Sequence, residues 1–300
     1  MSAGEDSGPA FRSGLVALAG RPNVGKSTLA NALAGRHVAG VSPRPQTTRR
    51  RISAVAEGPG WQAVLLDLPG FQRSLDRMTA RMQRTVDSSL EDCDAALFVV
   101  SASDPIGGGD RFIAERLRRL GLPVMIVVNK VDRADPATIA EHVAAASALV
   151  PFEAVHPMSA SKGDGVDALR ADLPLLLGEG PRLFPEGVAT DQTEDELAAE
   201  LIREAALARL RQELPHALAV AIDEIAPARE GVVVRADLLV EAESQKGMVI
   251  GKGGAMIRAI GSAARETLSA AFGTPVHVDL RVRVRKRWRD DESMLERLGL

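Results

Sequence analysis

Residues 20–28 read GRPNVGKST, and this stretch decides the first half of the chain. It fits G-x-x-x-x-G-K-[ST], follows a short apolar run at 15–19 (LVALA) and opens a helical pattern at 26–34. A strand before it and a helix after it are the context in which this spelling forms a phosphate-binding loop. Gly20 and Gly25 let backbone N–H groups turn inward around phosphate oxygens, and the helix N-terminus adds partial positive charge. Lys26 is spaced to reach β- and γ-phosphates, and Ser27 to ligate Mg²⁺ through its hydroxyl. The bland alternative is a glycine turn that happens to precede a helix.

Working outward, short apolar runs recur at 51–56, 62–66 (QAVLL), 95–100 (AALFVV) and 123–128 (PVMIVV), with another strand near 153–158. Two of these are continuous apolar runs, as expected of strands covered on both faces. Helical stretches fall between them, near 75–91, 110–120, 137–149 and 165–176. The alternation predicts an α/β domain, a mostly parallel sheet with helices on both faces.

Such a site needs three more segments, in order, at strand ends. DLPG at 67–70 ends one strand: Asp67 is placed to hold Mg²⁺ through water, and the Gly70 N–H to meet a γ-phosphate. NKVD at 129–132 ends the next. The Asp132 carboxylate suits the N1–H and 2-amino group of guanine, two donors that adenine lacks. Asn129 ties this loop to the phosphate loop, and the stem of Lys130 covers the base. SASKG at 159–163 follows the last strand and offers the Ala160 N–H to guanine O6. Each short motif alone is weak, but four in order make a GTP site. Between the first two lies SPRPQTTRRR at 42–51, a polar, proline-broken segment able to move, in which a threonine can ligate Mg²⁺ and sense the γ-phosphate.

Glycine, proline and acidic residues dominate 178–196, where the alternation stops, so the linker is expected there. A helix (ELAAELIREAALARLRQEL), two strands (ALAVAIDEI and GVVVRADLLVEA), a glycine loop, a helix at about 254–271 and a strand (PVHVDLRVRVRK) follow. With a short helix before the glycines, the order is α-β-β-α-α-β. The stretch 247–254, GMVIGKGG, resembles a second phosphate loop but fails its spacing, and Gly253 stands where serine or threonine would be needed. GKGG at 251–254 instead fits the GXXG loop that clamps a nucleic-acid backbone. Its glycines allow close approach and Lys252 neutralises a phosphate. Met248, Val249, Ile250, Ile257 and Ile260 are expected to wall a groove for bases. The bland alternative is a helix–turn–helix joint with no ligand.

Charge supports a polyanion partner. Residues 246–289 carry Lys246, Lys252, Arg258, Arg265, Arg281, Arg283, Arg285, Lys286, Arg287 and Arg289 against Glu266 and Asp279, although the whole chain has a net charge of −3. Strand alternation puts Arg281, Arg283 and Arg285 on one face. With aromatics at 3% and no tyrosine, a stacking platform is not indicated, and Trp288 reads as well for packing as for stacking. The single cysteine, Cys93, excludes an internal disulfide and a cysteine cluster for zinc, and the five histidines show no ligand spacing. No apolar run reaches the ~18 residues of a membrane span. The first residues (MSAGEDSGPAFRSG) lack the layout of a secretory signal and read as an unstructured lead, so the cytoplasm is the expected location. The end, RDDESMLERLGL, reads as a short terminal helix.

The segments GRPNVGKST, QTTRRRI, DLPGF, NKVD, SASKG, FPEGVATDQ and the stretch QKGMVIGKGGAMIRAIGSAARE…PVHVDLRVRVRKRWRDDE together resemble the Era family, bacterial GTPases of small-subunit ribosome assembly. The likeness runs from about residue 14 to the last residue. It implies a lead at 1–13, a P-loop GTPase domain at 14–177, a linker at 178–196 and an α+β type-II KH domain at 197–300. It implies GTP and GDP as ligands, held by Gly20, Arg21, Pro22, Asn23, Val24, Gly25, Lys26, Ser27, Thr28, Asp67, Leu68, Pro69, Gly70, Asn129, Lys130, Asp132, Ser159, Ala160 and Ser161. Lys26, Thr48 and Gly70 are the catalytic candidates, and Mg²⁺ is expected on Ser27, Thr48 and, through water, Asp67; Thr48 is preferred to Thr47 on the resemblance alone. RNA contacts are expected from Lys246, Ile250, Gly251, Lys252, Gly253, Gly254, Ile257, Arg258, Arg281, Arg283 and Arg285. The implied partners are the 3′ end of the 16S rRNA and the 30S subunit, with no DNA, a monomeric state, and peripheral association with the inner face of the cell membrane left open.

Two positions qualify the resemblance. Leu68 replaces the threonine usual in DTPG, which leaves the roles of Asp67 and Gly70 intact and alters the packing between them. Phe71 follows DLPG where related enzymes carry a glutamine that orients water, so catalysis needs another element. The PN of the phosphate loop, like that of potassium-dependent relatives, suggests K⁺ held partly by Asn23. Hydrolysis is expected to be slow, as suits a switch, and the nucleotide is expected to alter 42–51 and 70–80 and so RNA access. One rival is an RNA-binding assembly factor in which GTP is structural, supported by Phe71. Another is a tRNA-modification or tandem-domain GTPase, which the single G domain and the lack of a cysteine near the last residues do not favour.

Overall fold

A computed structural model describes residues 10–42, 44, 47–70, 76–210 and 214–300; for 215 and 216 it describes the backbone alone. Most of the expected lead, Phe71 and parts of the 42–51 and 70–80 segments lie outside the described residues. The chain divides into two compact units. The first comprises 1–35, 53–67 and 88–190, the second 36–52, 68–87 and 191–300.

The first unit is built on a sheet. Its strands are β1 (Arg12–Ala19), β2 (Ile52–Gly58), β3 (Trp61–Asp67), β4 (Ala95–Ser101), β5 (Val124–Asn129), β6 (Ala154–Pro157) and a two-residue β7 (Gly178–Glu179). The helices in chain order are α1 (Lys26–Ala34), α2 (Arg77–Glu91), whose residues up to Asp87 belong to the second unit, α3 (Gly108–Leu120), α4 (Pro136–Ser147) and α5 (Val166–Asp172). The order across the sheet is β2-β3-β1-β4-β5-β6, with β7 antiparallel on β1. Strands β3, β1, β4, β5 and β6 run parallel. Every residue of β3, β4 and β5 is buried, the consequence of covering both faces. Strand order reverses at β1, so the loop leaving its carboxyl end lies at the switch point where α/β sheets bind ligands.

Much of the stretch expected as a linker is attached to this sheet. Gln62 Oε1 accepts the N–H groups of Leu183 and Phe184 at 2.9 and 2.8 Å, and Glu57 pairs with Arg182 at 2.6 Å. The Val55 N–H then donates to the Ala189 carbonyl. Thr193 caps the next helix and forms a capping box with Glu196.

The second unit contains α6 (Glu194–Leu207), α7 (Leu214–Ala217), β8 (Ala219–Pro227), β9 (Val232–Val240), α8 (Glu243–Ile250), α9 (Ala255–Phe272), β10 (Val276–Val284) and α10 (Glu292–Arg297). Its sheet order is β10-β9-β8, with β9 and β10 parallel and β8 antiparallel to β9. Ala198, Leu201, Ile202 and Ala205 of α6 and Ile260, Ala264 and Leu268 of α9 recur at helical spacing and are buried in one core with Val234, Leu238 and Val276. A second cluster joins Ala219, Ala221 and Leu239 to Met78, Met82, Trp288, Met294 and Leu295. Trp288 is fully buried and donates from Nε1 to the Ala217 carbonyl at 2.9 Å, so it packs and does not stack on a ligand.

Candidate nucleotide site and nucleic-acid groove

The loop between β1 and α1 is shaped from within. A Cβ on Gly20 would stand 2.4 Å from the Val99 carbonyl oxygen, closer than any side chain allows. Gly25 has φ +102°, and a Cβ there would stand 2.2 Å from Nδ2 of Asn129. Asn23 is also left-handed, at φ +64°, a conformation costly for a side-chain-bearing residue. Lys26 is buried and donates to the carbonyls of Gly20 and Arg21, both at 3.1 Å. Burial lowers its pKa, partly offset by Asp67. The Arg21 side chain turns away, to Asp110 at 2.9 Å and the Pro105 carbonyl at 3.1 Å, so it anchors the loop to the start of α3.

The Ser27 hydroxyl donates to Asp67 Oδ2 at 2.6 Å, and Asp67 is fully buried at the end of β3. A hydroxyl and a carboxylate converging here are the hard oxygen donors that suit Mg²⁺. Asn129 joins three segments: Nδ2 donates to the Val24 carbonyl at 2.9 Å, and Oδ1 accepts the Ala160 N–H at 3.0 Å. The N–H expected to serve guanine O6 is thus engaged by Asn129 in this structure. Asp132 accepts from the Ser159 hydroxyl at 2.6 Å, the first cause of its lowered pKa, and keeps its charge at neutral pH. Lys130 is left-handed at φ +64°, with Nζ 3.9 Å from Asp104. Ser161 Oγ lies 3.4 Å from Ser159 Oγ.

Thr48, Leu68, Pro69 and Gly70 belong to the second unit. Thr48 and Leu68 are buried. The hydroxyl of Thr47 donates to the Arg44 carbonyl at 2.7 Å, which is a local turn contact.

In the second unit, Gly251 ends α8 and Lys252–Gly254 form a single turn before α9. Gly251, Gly253 and Gly254 all have positive φ, at +71°, +57° and +77°. Lys252 and Gly253 are exposed. Beside this turn, α9 and the edge strand β10 enclose a cleft of about 380 Å³, lined by Ile257, Arg258, Gly261, Ser262, Arg265, His277, Val278 and Leu280. Of the expected RNA-contact residues, Ile257 and Arg258 line this cleft. Gly261, Ser262, Arg265 and His277 were not foreseen as lining residues, although helical spacing from Arg258 through Ser262 to Arg265 already puts these on one face.

One expectation needs correction. Val249 and Ile260, expected to wall the groove, are fully buried core residues. Arg281 and Arg283 lie on the exposed face of β10 and line no part of the cleft; each has an acidic neighbour, Asp279 at 3.8 Å and Asp237 at 2.7 Å. Arg285 lies just beyond β10, its N–H on the Val240 carbonyl. The alternation rule put Arg281 and Arg283 on one face of β10, the face that also carries the cleft-lining His277, so it is position along the strand and not the choice of face that separates them from the cleft.

A phosphate-loop α/β unit joined to a KH-type α+β unit defines the class: a nucleotide-binding GTPase fold linked to a nucleic-acid-binding fold. Residues 15–130 match the family described as 50S ribosome-binding GTPase, and residues 213–289 match the KH domain family. GTPase Era of Mycobacterium tuberculosis (strain ATCC 25618 / H37Rv) is 45% identical over 297 residues, covering 96% of this chain and 99% of that protein. GTPase Era of Mycobacterium sp. (strain KMS) is 43% identical over 295 residues, with the same coverage of both chains. Among solved structures, Era in complex with MgGDPNP and nucleotides 1506–1542 of 16S ribosomal RNA superposes with a TM-score of 0.91 at 35% identity, over 96% of this chain and 99% of that one. Aquifex aeolicus Era Y63A bound to GDP·AlF4⁻ gives a TM-score of 0.91 at 34% identity, with the same coverage. The chain belongs to the Era family of GTPases.

Proposed function

We propose that this GTPase holds GTP or GDP with Mg²⁺ on its G domain and the 3′ end of 16S rRNA on its KH domain, and acts in rRNA processing and 30S subunit assembly. The observation that carries this reading is the likeness, over 96% of the chain, to an Era bound to MgGDPNP and 16S nucleotides 1506–1542. The residues fit such ligands: the Ser27–Asp67 pair suits Mg²⁺, and the cleft beside Gly251–Gly254 suits single-stranded RNA.

In this reading Lys26 and the N–H groups of the phosphate loop bind the β- and γ-phosphates, and Asp132 selects guanine. Ser27, Thr48 and, through water, Asp67 would hold Mg²⁺, which would supply charge for the phosphoryl oxygens. Thr48 and the Gly70 N–H orient the γ-phosphate for attack by water. Asn23 is the candidate K⁺ ligand, supported only by its place in the loop and its left-handed backbone. Gly251–Gly254, with Lys252, grips the RNA backbone, and Lys246, Ile250, Ile257 and Arg258 flank the bases. The proposed division is nucleotide on 14–177 and RNA on 197–300. Supporting nucleotide control of RNA access, 36–52 and 68–87 group with the KH unit.

No helix among the described residues is long and apolar enough to cross a membrane. A monomer working in the cytoplasm fits the ribosomal role, and cell fractionation decides between that and a peripheral place at the inner membrane face. The central test is RNA binding by the full chain with GDP and with a non-hydrolysable GTP analogue, alongside GTP turnover. Tight binding to a 16S 3′-end oligonucleotide, lost on scrambling it, is expected; equal affinity for both oligonucleotides would overturn the RNA assignment.

A further inference from the structure

The turn after β10 joins both segments that the proposed function expects to respond to nucleotide. Arg49 follows Thr48 directly in the chain and is only 4% exposed. Its guanidinium donates to the Leu218 carbonyl at 2.7 Å and lies over the Trp288 ring, 5.6 Å from the centroid. Burial, then the neighbouring Arg203 and Arg289, lower its pKa to about 9, so it remains charged at neutral pH. A buried cation on an aromatic face is a position the chain holds only while its partners are in place.

The next two residues of the same turn take the other segment. Arg289 pairs with Asp76, and the Arg77 N–H donates to Asp290 Oδ1 at 3.4 Å. Arg81 continues the contact to Glu292 at 2.8 Å, and Met78 and Met82 share a cluster with Trp288. Trp288 follows β10, the strand whose Val278 and Leu280 border the cleft. All of these residues lie in the second unit.

We propose that the Trp288–Asp290 turn is a two-input latch, reading the Thr48 segment through Arg49 and the start of α2 through Asp76 and Arg77, and setting β10 beside the RNA cleft. This rests on the proposed reading that both segments follow the γ-phosphate. Any shift of Thr48 is passed to Arg49 by a single peptide unit, and Arg49 cannot move without leaving Trp288. Arg49 is accordingly a positioning residue, its guanidinium engaged by the Leu218 carbonyl and the Trp288 ring.

The chain has two tryptophans, so Trp61→Phe leaves Trp288 as the sole emitter. In that full-length background, Trp288 emission is expected to differ between the GDP form and the Mg²⁺–GTP-analogue form. Arg49→Met should abolish the difference and move the ratio of RNA affinities in the two forms at least threefold towards unity, with nucleotide affinity changed less than threefold. Arg49→Lys, which keeps a cation over the ring, should retain part of both signals. Should Arg49→Met not fold, Arg49→Lys and Asp76→Asn carry the test, each expected to weaken the emission change and the ratio. Identical emission in both forms, or a nucleotide-dependent ratio that these variants leave unchanged, overturns the latch. A chain that binds no guanine nucleotide or no 16S 3′-end RNA overturns the proposed function instead, and is recognised by titrating the parent chain first.

Discussion

The two glycine loops are alike in spelling and opposite in construction. At 20–25 the protein itself occupies the space a side chain would need: the Val99 carbonyl stands against Gly20 and Asn129 against Gly25. At 251–254 the crowding is confined to the first glycine, where a Cβ would stand 2.7 Å from the Met256 Cβ and 2.9 Å from its backbone nitrogen; one on Gly254 would meet only the end of the Arg258 side chain, and one on Gly253 nothing within 4 Å. The first loop is fixed by its own fold before any ligand is considered. The second is left-handed backbone presented to whatever approaches it.

The largest effect that would break this contrast is at Gly25. Alanine there is strained at φ +102° and collides with Asn129. Strain of about 1–3 kcal/mol and a displaced Asn129 should lower GDP affinity on the order of 100-fold, read by titration calorimetry. An affinity within threefold of the parent would mean that the loop adapts as freely as the second one. Asn129→Ala comes next. It removes the donor to Val24 and the acceptor for Ala160, both buried. Each loss costs about 1–3 kcal/mol. GDP affinity should therefore fall at least tenfold, with the phosphate loop gaining amide exchange.

For the second loop, the test is which cations face the ligand. Arg265→Ala should weaken 16S 3′-end binding roughly tenfold and reduce the slope of log affinity against log salt by about 0.7, one phosphate contact on a single strand. Arg283→Ala should leave affinity within about twofold, but cost stability, because Asp237 is mostly buried and loses its partner. The reverse ranking would put the arginines of β10 at the interface. A smaller effect is expected from Gly253→Ala. With φ +57° and open space around it, alanine should cost about 1 kcal/mol of stability by denaturant unfolding, the ordinary penalty for left-handed backbone. A cost as large as that of Gly25→Ala would show hidden crowding.

The same contrast explains what could be read from the sequence. Placement at strand ends was legible, because spacing along the chain fixes it: Lys26, Ser27, Asp67, Asn129 and Asp132 fall in the first unit as motif and strand order require. The cleft was legible only in part. It forms where α9 meets the edge of β10, and it takes His277 from one face of that strand and Val278 and Leu280 from the other, which period-2 alternation does not foresee. Val249 and Ile260 misled for a related reason: an apolar residue beside a binding loop reads alike whether it lines the groove or supports it from the core. The arrangement around Trp288 was out of reach, because Arg49 and Trp288 are brought together by tertiary packing across a long stretch of chain.

The smallest effect sits in neither loop but in the segment between them. His37 Nε2 lies 2.9 Å from Glu204 Oε2, and Glu200 stands close enough that a Cβ on Gly40 would meet its carboxylate at 2.7 Å. Glu204 is the first cause of a raised His37 pKa, burial opposes it, and Glu200 and the Ala39 backbone add to the rise. Because the folded value lies above the unfolded ~6.5, the protonated imidazole stabilises the fold. That stabilisation is full below the unfolded pKa and is lost as pH rises through the folded one. The His37 side chain is 36% exposed, so solvent screening limits the gain to a few tenths of a kcal/mol. Thermal midpoints of the parent and His37→Gln should therefore differ by about 1 °C more at pH 5.5 than at pH 8.5. A gap of the same size at both pH values would mean that His37 holds the segment by packing alone, as Asn129 packs against Gly25, with no contribution from its charge.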